Sequence, residues 1–251
     1  AAISVRAHQA AMRAARPGIH EYELQAEVER VFRAADACPA YASIVGAGAN
    51  GCVLHYVANT GKARDGDLVL IDAGAEYRNY AADITRTFPV NGRFTKEQRA
   101  LHDLVGAAQA AALACARPGV AFAALHETVV EVLSEGLLRL GLLKGSLEKC
   151  IAGEHYRQFY RHKSGHWLGL DVHDVGDYRI DGQSRLLEPG MVLTIEPGLY
   201  VGADDTTVAA KWRGIGIRTE DDVLVTADGH RVLTEGLARS AEEIEAFMAG
   251  G

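Results

Sequence analysis

The sequence predicts an α+β fold built from two related halves, and three observations carry that expectation. First, a helix–stop–helix pattern occurs twice. Ala-rich residues 7–15 end at Arg16-Pro17-Gly18 and lead into an amphipathic stretch, 21–35; Ala-rich residues 104–116 end at Arg117-Pro118-Gly119 and lead into another, 122–140. Second, each half continues into a β-rich run that ends in a carboxylate with Gly two residues on: Asp72 before Gly74 in the run 67–74, Glu196 before Gly198 in the run 191–198. Downstream, Asp83-Ile84-Thr85-Arg86 in one half parallels Ile217-Arg218-Thr219-Glu220 in the other. Third, helices and strands come in blocks rather than in β-α alternation, which favours α+β over a doubly wound sheet. Chance sharing of common strand vocabulary is the competing explanation for the repeat; the matched carboxylates argue against it.

Composition narrows the function class. The chain has 251 residues, of which 48% are hydrophobic and 24% charged, an ordinary globular balance that excludes a disordered tail, a coiled coil and a collagen-like fibre. Length alone suggests one to two domains at about 150 residues each. Acidic residues outnumber basic ones, 33 to 26, for a net charge of −7, where a nucleic-acid binder would show a basic excess. The uncharged run 104–116 is far short of the ~20 apolar residues of a membrane span. Residues 1–10 carry Arg6, His8 and Gln9 and do not read as a signal peptide. Cys38, Cys52, Cys115 and Cys150 lack C-x-x-C spacing and read as reduced thiols of a cytoplasmic protein.

The carboxylates then ask for a cation. The midpoint between Asp72 and Asp83 falls at Tyr77-Arg78, beside Asn79, so a hairpin would set the two aspartates roughly opposite each other. Like charges so placed are destabilising unless one is protonated or a cation lies between them; two exposed strand-end aspartates are the alternative. Glu196 ends the apolar run 192–195, and Glu220 follows Ile215-Gly216-Ile217 with Arg218 on the same face by the period of two. Buried carboxylates need partners, and a plain salt bridge to Arg218 would serve one of them. Three of the ten histidines, His162, His166 and His173, lie in a segment whose Gly165 and Gly169 favour loop or strand over helix. His55, in Asn50-Gly51-Cys52-Val53-Leu54-His55-Tyr56, is a fourth candidate, with an ordinary core or surface histidine as the alternative. Four carboxylates and an imidazole form an oxygen-rich set suited to two hard divalent ions such as Mn²⁺, a constellation of hydrolases. No G-x-S-x-G, P-loop, H-E-x-x-H or strand–G-x-G-x-x-G–helix occurs, and Gly46 to Gly51 reads as a turn approaching the site.

Taken in order, these segments resemble the pita-bread metallopeptidases, most closely the catalytic domain of the aminopeptidase P (Xaa-Pro aminopeptidase) family. The resemblance is carried by Ile44-Val45-Gly46, Leu54-His55-Tyr56, the run 65–74, Asp83-Ile84-Thr85-Arg86-Thr87-Phe88-Pro89-Val90, the run 165–176, the run 188–198 and the run 214–222. It implies a pita-bread fold of two pseudo-twofold halves, about 1–103 and 104–251, in one catalytic domain spanning 1–251. It implies two metal ions held by Asp72, Asp83, His166, Glu196 and Glu220, with Mn²⁺ first and Zn²⁺ or Co²⁺ as alternatives. Asp83 and Glu220 would bridge both ions, and Glu196 would also act as general base and acid. His55, His162 and His173 would be auxiliary histidines, with Arg218 beside the ligand carboxylates. The implied reaction is attack of a metal-bridging hydroxide on the Xaa-Pro bond, releasing the N-terminal residue of a peptide. The implied partners are peptides with an N-terminal Xaa-Pro, neither nucleic acid nor membrane, and further copies of the full-length chain. An Xaa-Pro dipeptidase (prolidase) is the enzymatic alternative and a non-catalytic peptide-binding module the other. Full-length members carry a further N-terminal domain. This chain opens without Met, directly in helix-like sequence, so that domain is expected to be absent from it, by trimming or in a compact relative. Lys163, unusual beside the first histidine of the loop, and residues 203–212 mark where pocket differences are expected.

Overall fold

The computed structural model describes residues 1–250. Two helices open the chain, α1 (Ala2–Ala14) and α2 (Glu21–Ala34), followed by β1 (Cys38–Pro39), β2 (Ile44–Ala47), β3 (Leu68–Asp72), β4 (Ala75–Glu76) and β5 (Thr85–Pro89). The second series has helices α3 (Lys96–Cys115), α4 (Phe122–Arg139) and α5 (Leu147–Ala152) and a small hairpin of β6 (Arg179–Ile180) and β7 (Gln183–Ser184). It continues with β8 (Val192–Ile195), β9 (Gly198–Val201), β10 (Ile215–Arg218), β11 (Asp221–Val225), β12 (His230–Val232) and the final helix α6 (Ala241–Ala249). This is the α+β arrangement the block pattern predicts.

Local chemistry explains the boundaries. α1 and α2 stop and start about where the Pro17-Gly18 break places them. α3 begins at Lys96 instead of near 104, because Thr95 and Gln98 form a reciprocal cap that starts the helix two turns earlier. The glycine-rich stretch turns through a short 3-10 helix, Gly48–Cys52, directly after β2.

All strand pairs are antiparallel. β2, β3 and β5 form one sheet, with Ile44 opposite Asp72 and Asp72 opposite Thr85. β8, β11 and β12 form another, with Ile195 opposite Asp221, while β9 pairs with β10. The expected hairpin between Asp72 and Asp83 is present: Tyr77 and Tyr80 bond each other across Arg78 and Asn79, both at positive φ (51° and 66°), the two-residue turn whose twist suits a hairpin. Its register sets Thr85, not Asp83, opposite Asp72. Asp83 lies two residues earlier on the same face, a diagonal neighbour. Gly74 makes room for this approach, since a Cβ there would collide with the Ala82 carbonyl.

Two apolar cores result. One lies among α1, α2 and the β2–β3–β5 sheet and includes Leu24, Phe32, Ile71 and Phe88; Leu237 and, from α6, Ile244 return to it. The other lies between α3, α4 and strands β8 to β11, with Leu101, Leu133, Leu193 and Ile217. The two sheets meet at a single bridge between Thr85 and Glu220, where the Glu220 N–H donates to the Thr85 carbonyl (3.0 Å). Among the described residues no helix is long and apolar enough to cross a membrane.

Candidate metal centre

Each acidic residue singled out from the sequence sits at this seam, at or beside a strand end. Asp72 closes β3, Asp83 precedes β5, Glu196 follows β8 and Glu220 joins β10 to β11. Strand ends suit such a role, because the side chain is aimed by the ladder while its tip clears the sheet. His166 reaches the same place from an irregular loop pinned to β8: Thr194 N–H donates to the His166 carbonyl (2.9 Å), and His166 N–H donates to Thr194 Oγ1 (3.1 Å). Gly165 permits this seating, since any Cβ there would meet the Thr194 carbonyl.

The side chains converge. Asp83, His166 and Glu220 each offer a ligand atom, all within 4.8 Å of one another. His166 Nε2 lies 3.3 Å from Asp83 Oδ2 and 3.8 Å from Glu196 Oε1. Tyr41 joins the aspartates, its hydroxyl 2.6 Å from Asp72 Oδ1 and 2.5 Å from Asp83 Oδ1. Arg218 Nη2 donates to Asp72 Oδ2. Thr85 Oγ1 donates to Glu220 Oε2 (2.7 Å) and accepts from Arg218 Nε (3.1 Å). A cavity of about 830 Å³ opens over the cluster, lined also by His55, His162, His173, Phe122 and Tyr178.

The protein's own charges do not balance here. Four buried carboxylates face one contacting arginine, so the proton balance shifts. Burial drives Glu196 up to about 8 and Glu220 well above the carboxylate range, with Asp83 adding to both. Burial and Asp83 likewise raise Asp72 against the pull of Arg218. Asp83 goes the other way: burial would raise it, but the hydrogen bond and charge of His166 outweigh that and hold it low. His166 in turn rises to about 9, since Asp83 and Glu196 overcome the burial that would lower it. The donor set passes a test for divalent cations on its geometry. His166 Nδ1 donates to the Trp167 carbonyl (3.0 Å), which leaves Nε2 pointed into the carboxylates, as in imidazoles whose other ring nitrogen is held by a carbonyl while one binds metal. Buried carboxylates in excess of their partners are what a cation offsets.

The auxiliary residues fall at graded distances. His162 donates from Nδ1 to the Lys163 carbonyl (2.7 Å), so its Nε2 accepts from the Tyr200 hydroxyl (2.8 Å), and burial, then Arg218, depresses it to about 3. Its Nδ1 lies 3.6 Å from Glu196 Oε2. His173 meets His166 edge-on with ring centroids 4.3 Å apart, and burial and His166 lower it. His55 lines the cavity with no hydrogen bond into the cluster. Lys163 also lines the cavity; the stretch 203–212 does not. Sequence reasoning missed Tyr41, Thr85 and Tyr200. Thr85 was within reach, because the period of two places it on the face of Asp83; Tyr41 lies in an irregular segment with no periodic signal.

Comparison with known proteins agrees with this geometry. The chain is 51% identical over 247 residues to Xaa-Pro aminopeptidase of Escherichia coli, covering 98% of this chain and 56% of that protein. It is 38% identical to human Xaa-Pro dipeptidase over 282 residues, 99% of this chain and 57% of that protein. The solved structure of Pseudomonas aeruginosa aminopeptidase PepP superposes with a TM-score of 0.98 at 55% identity, over 99% of this chain and 57% of that one. The α+β fold is therefore that of the aminopeptidase P structures, and the chain spans a little over half the length of these relatives. The model of metallopeptidase family M24 matches residues 1–227, and the chain belongs to that family.

Proposed function

We propose that this chain is the catalytic unit of an Xaa-Pro aminopeptidase, a single domain of two halves, about 1–103 and 104–251, with the reaction centre on the seam between them. The observation that supports it most is the convergence of Asp83, His166 and Glu220 under an open cavity, with Glu196 and Asp72 completing the set. These five residues would hold two divalent cations; the oxygen-rich donors favour Mn²⁺. Bound cations of this kind supply Lewis acidity, which acidifies water and polarises a carbonyl.

The chain's residues divide the remaining work. Arg218 and Tyr41 fix Asp72, and Thr85 fixes Glu220. The Glu196 carboxylate can take a proton from attacking water and return it to the departing proline nitrogen. His173 and His55 line the cavity as ring N–H donors for the developing oxyanion. The four free cysteines fit a cytoplasmic setting.

The test is hydrolysis of Xaa-Pro and Xaa-Pro-Yaa by metal-stripped protein with Mn²⁺ restored. Expected is metal-dependent release of the first residue from the tripeptide, lowered about 10³-fold or more by Glu196→Gln. Preference for the dipeptide would reassign the chain as an Xaa-Pro dipeptidase. No turnover with Mn²⁺ bound, by this chain or by a longer protein containing it, would leave a peptide-binding module.

A further inference from the structure

Behind the seam, on the side away from the cavity, lies a second charged cluster that the proposed reaction does not use. Arg86 is the largest fully buried side chain in the protein. Its Nη2 pairs with Asp221 Oδ1 at 2.8 Å, both side chains fully excluded from solvent. Its Nε donates to the Ala238 carbonyl (3.0 Å), and its Nη1 donates to the carbonyls of Thr85 (3.0 Å) and Glu220 (2.7 Å). Asp221 also accepts from Thr234 Oγ1 (2.5 Å) and from Gln109 Nε2 (2.9 Å), and its Oδ2 lies 2.9 Å from Arg239 Nε. Gln109 Nε2 reaches the Ile195 carbonyl as well (3.2 Å).

The two carbonyls in this web are not arbitrary. Ile195 O belongs to the peptide unit that carries Glu196, and Glu220 O to the unit that follows Glu220. The first unit is also held from the opposite side, where Glu196 N–H donates to the Ser164 carbonyl (2.9 Å); Glu220 is held through its preceding peptide unit as well, its N–H donating to the Thr85 carbonyl (3.0 Å). Asp221 lies directly across the β8–β11 ladder from Ile195, so one carboxylate coordinates both restraints. Replacing a buried ion pair by apolar groups is often neutral or stabilising, so stability alone does not account for this one. Gln109 makes the point more sharply. It sits on the buried stripe of α3 with Leu101, Val105, Ala108 and Ala112, and its Oε1 has no partner among the described residues. An apolar side chain of the same size would fill that volume without leaving a polar atom orphaned.

We infer that Gln109, Arg86 and Asp221 form a positioning frame that sets the main chain at Glu196 and Glu220, and thereby the spacing of two carboxylates for metal. The inference rests on the metal-centre reading above. Gln109→Met removes both of its donated bonds with little change of volume or charge. Arg86→Lys keeps the charge opposite Asp221 but cannot reproduce the fork to Glu220, Thr85 and Ala238.

The experiment is calorimetric titration of Mn²⁺ into the metal-stripped chain and both variants, with thermal melts of the metal-free proteins. Expected is a loss of Mn²⁺ affinity of about 10- to 100-fold in each variant, while the metal-free Gln109→Met protein melts within about 4 °C of wild type. Wild-type affinity in both variants, with only a lowered melting point, would make the frame merely structural and overturn the inference. Should the wild-type chain bind no Mn²⁺, the metal-centre reading itself fails and the inference falls with it.

Discussion

Two clusters of buried charge flank Glu220, and they are built on opposite principles. On the cavity side, Asp72, Asp83, Glu196 and Glu220 share His166 and the single arginine Arg218. On the far side, one carboxylate, Asp221, faces two arginines, a glutamine and a threonine, and Arg239 of this group also lines a second, polar cavity. The balance differs: carboxylates outnumber their cationic partners on the cavity side, and donors outnumber the carboxylate on the far side. Carboxylates in excess of their partners are what a cation would offset, whereas a lone carboxylate saturated with donors acts as a brace. The same residue types therefore do different work according to the count of their partners.

The largest expected effect breaks the balanced cluster. Arg86→Met leaves Asp221 with Arg239 as its only cation and orphans carbonyls at Glu220 and Ala238. Removing one partner of a buried pair costs about 3–5 kcal/mol, so chemical denaturation should show a loss of that size with an unchanged dependence on denaturant. A loss below about 1 kcal/mol would mean that the far cluster is no more interdependent than a surface pair.

A smaller effect separates the cavity side. Mn²⁺ at about a hundredfold its dissociation constant should stabilise the protein by about 2.7 kcal/mol, or about 5–10 °C in melting point for a chain of this size. Glu220→Gln should abolish most of that increment while leaving the metal-free protein no less stable, because it removes one of the surplus carboxylates. A metal-free Glu220→Gln protein destabilised like Arg86→Met would show that the two clusters do not differ in the way their partner counts imply.

The contrast also explains what could be seen in the sequence. Asp72, Glu196 and Glu220 are visible because apolar β runs lead into them, and the Pro-Gly stops of both halves expose the helix pairs. The hairpin was legible from Asn79, but not its register. Whether Asp83 or Thr85 faces Asp72 depends on the extra residues accommodated where Gly74 meets Ala82, a tertiary fit. Arg86 and Asp221 carry no linear sign of their pairing: they are 135 residues apart, and each reads as a polar position in a strand. Gln109 sits in a helix stripe whose other members are apolar, a departure that periodicity registers but does not interpret. Tyr41 is fixed by the two aspartates it touches and by no pattern of its own.

The last of the expected effects concerns pH, and it sharpens the comparison because the two sorts of buried group pull in opposite directions. Glu196 is raised by burial from 4.5 to about 8, so its contribution is fully present below pH 4.5 and lost as pH rises through about 8. His166 rises from 6.5 to about 9 through Asp83 and Glu196, against the opposing effect of burial, and its contribution is likewise lost on the alkaline side. His8, bonded to the Ala73 carbonyl (2.9 Å), and His102, packed on Phe94 with ring centroids 4.8 Å apart, are buried neutral and depressed to about 4. Their contribution is present above pH 6.5 and lost as pH falls through about 4. Metal-free protein should therefore be most stable near pH 6.5 and lose stability as the pH rises toward 8.5. Mn²⁺ requires deprotonated ligands, so the increment it adds should grow over that same interval and carry the optimum to the alkaline side. Melting curves from pH 5 to 9, with and without Mn²⁺, measure both trends. An increment flat across that range would mean that the cavity carboxylates are already ionised without a cation, and that their surplus is balanced by something other than protons.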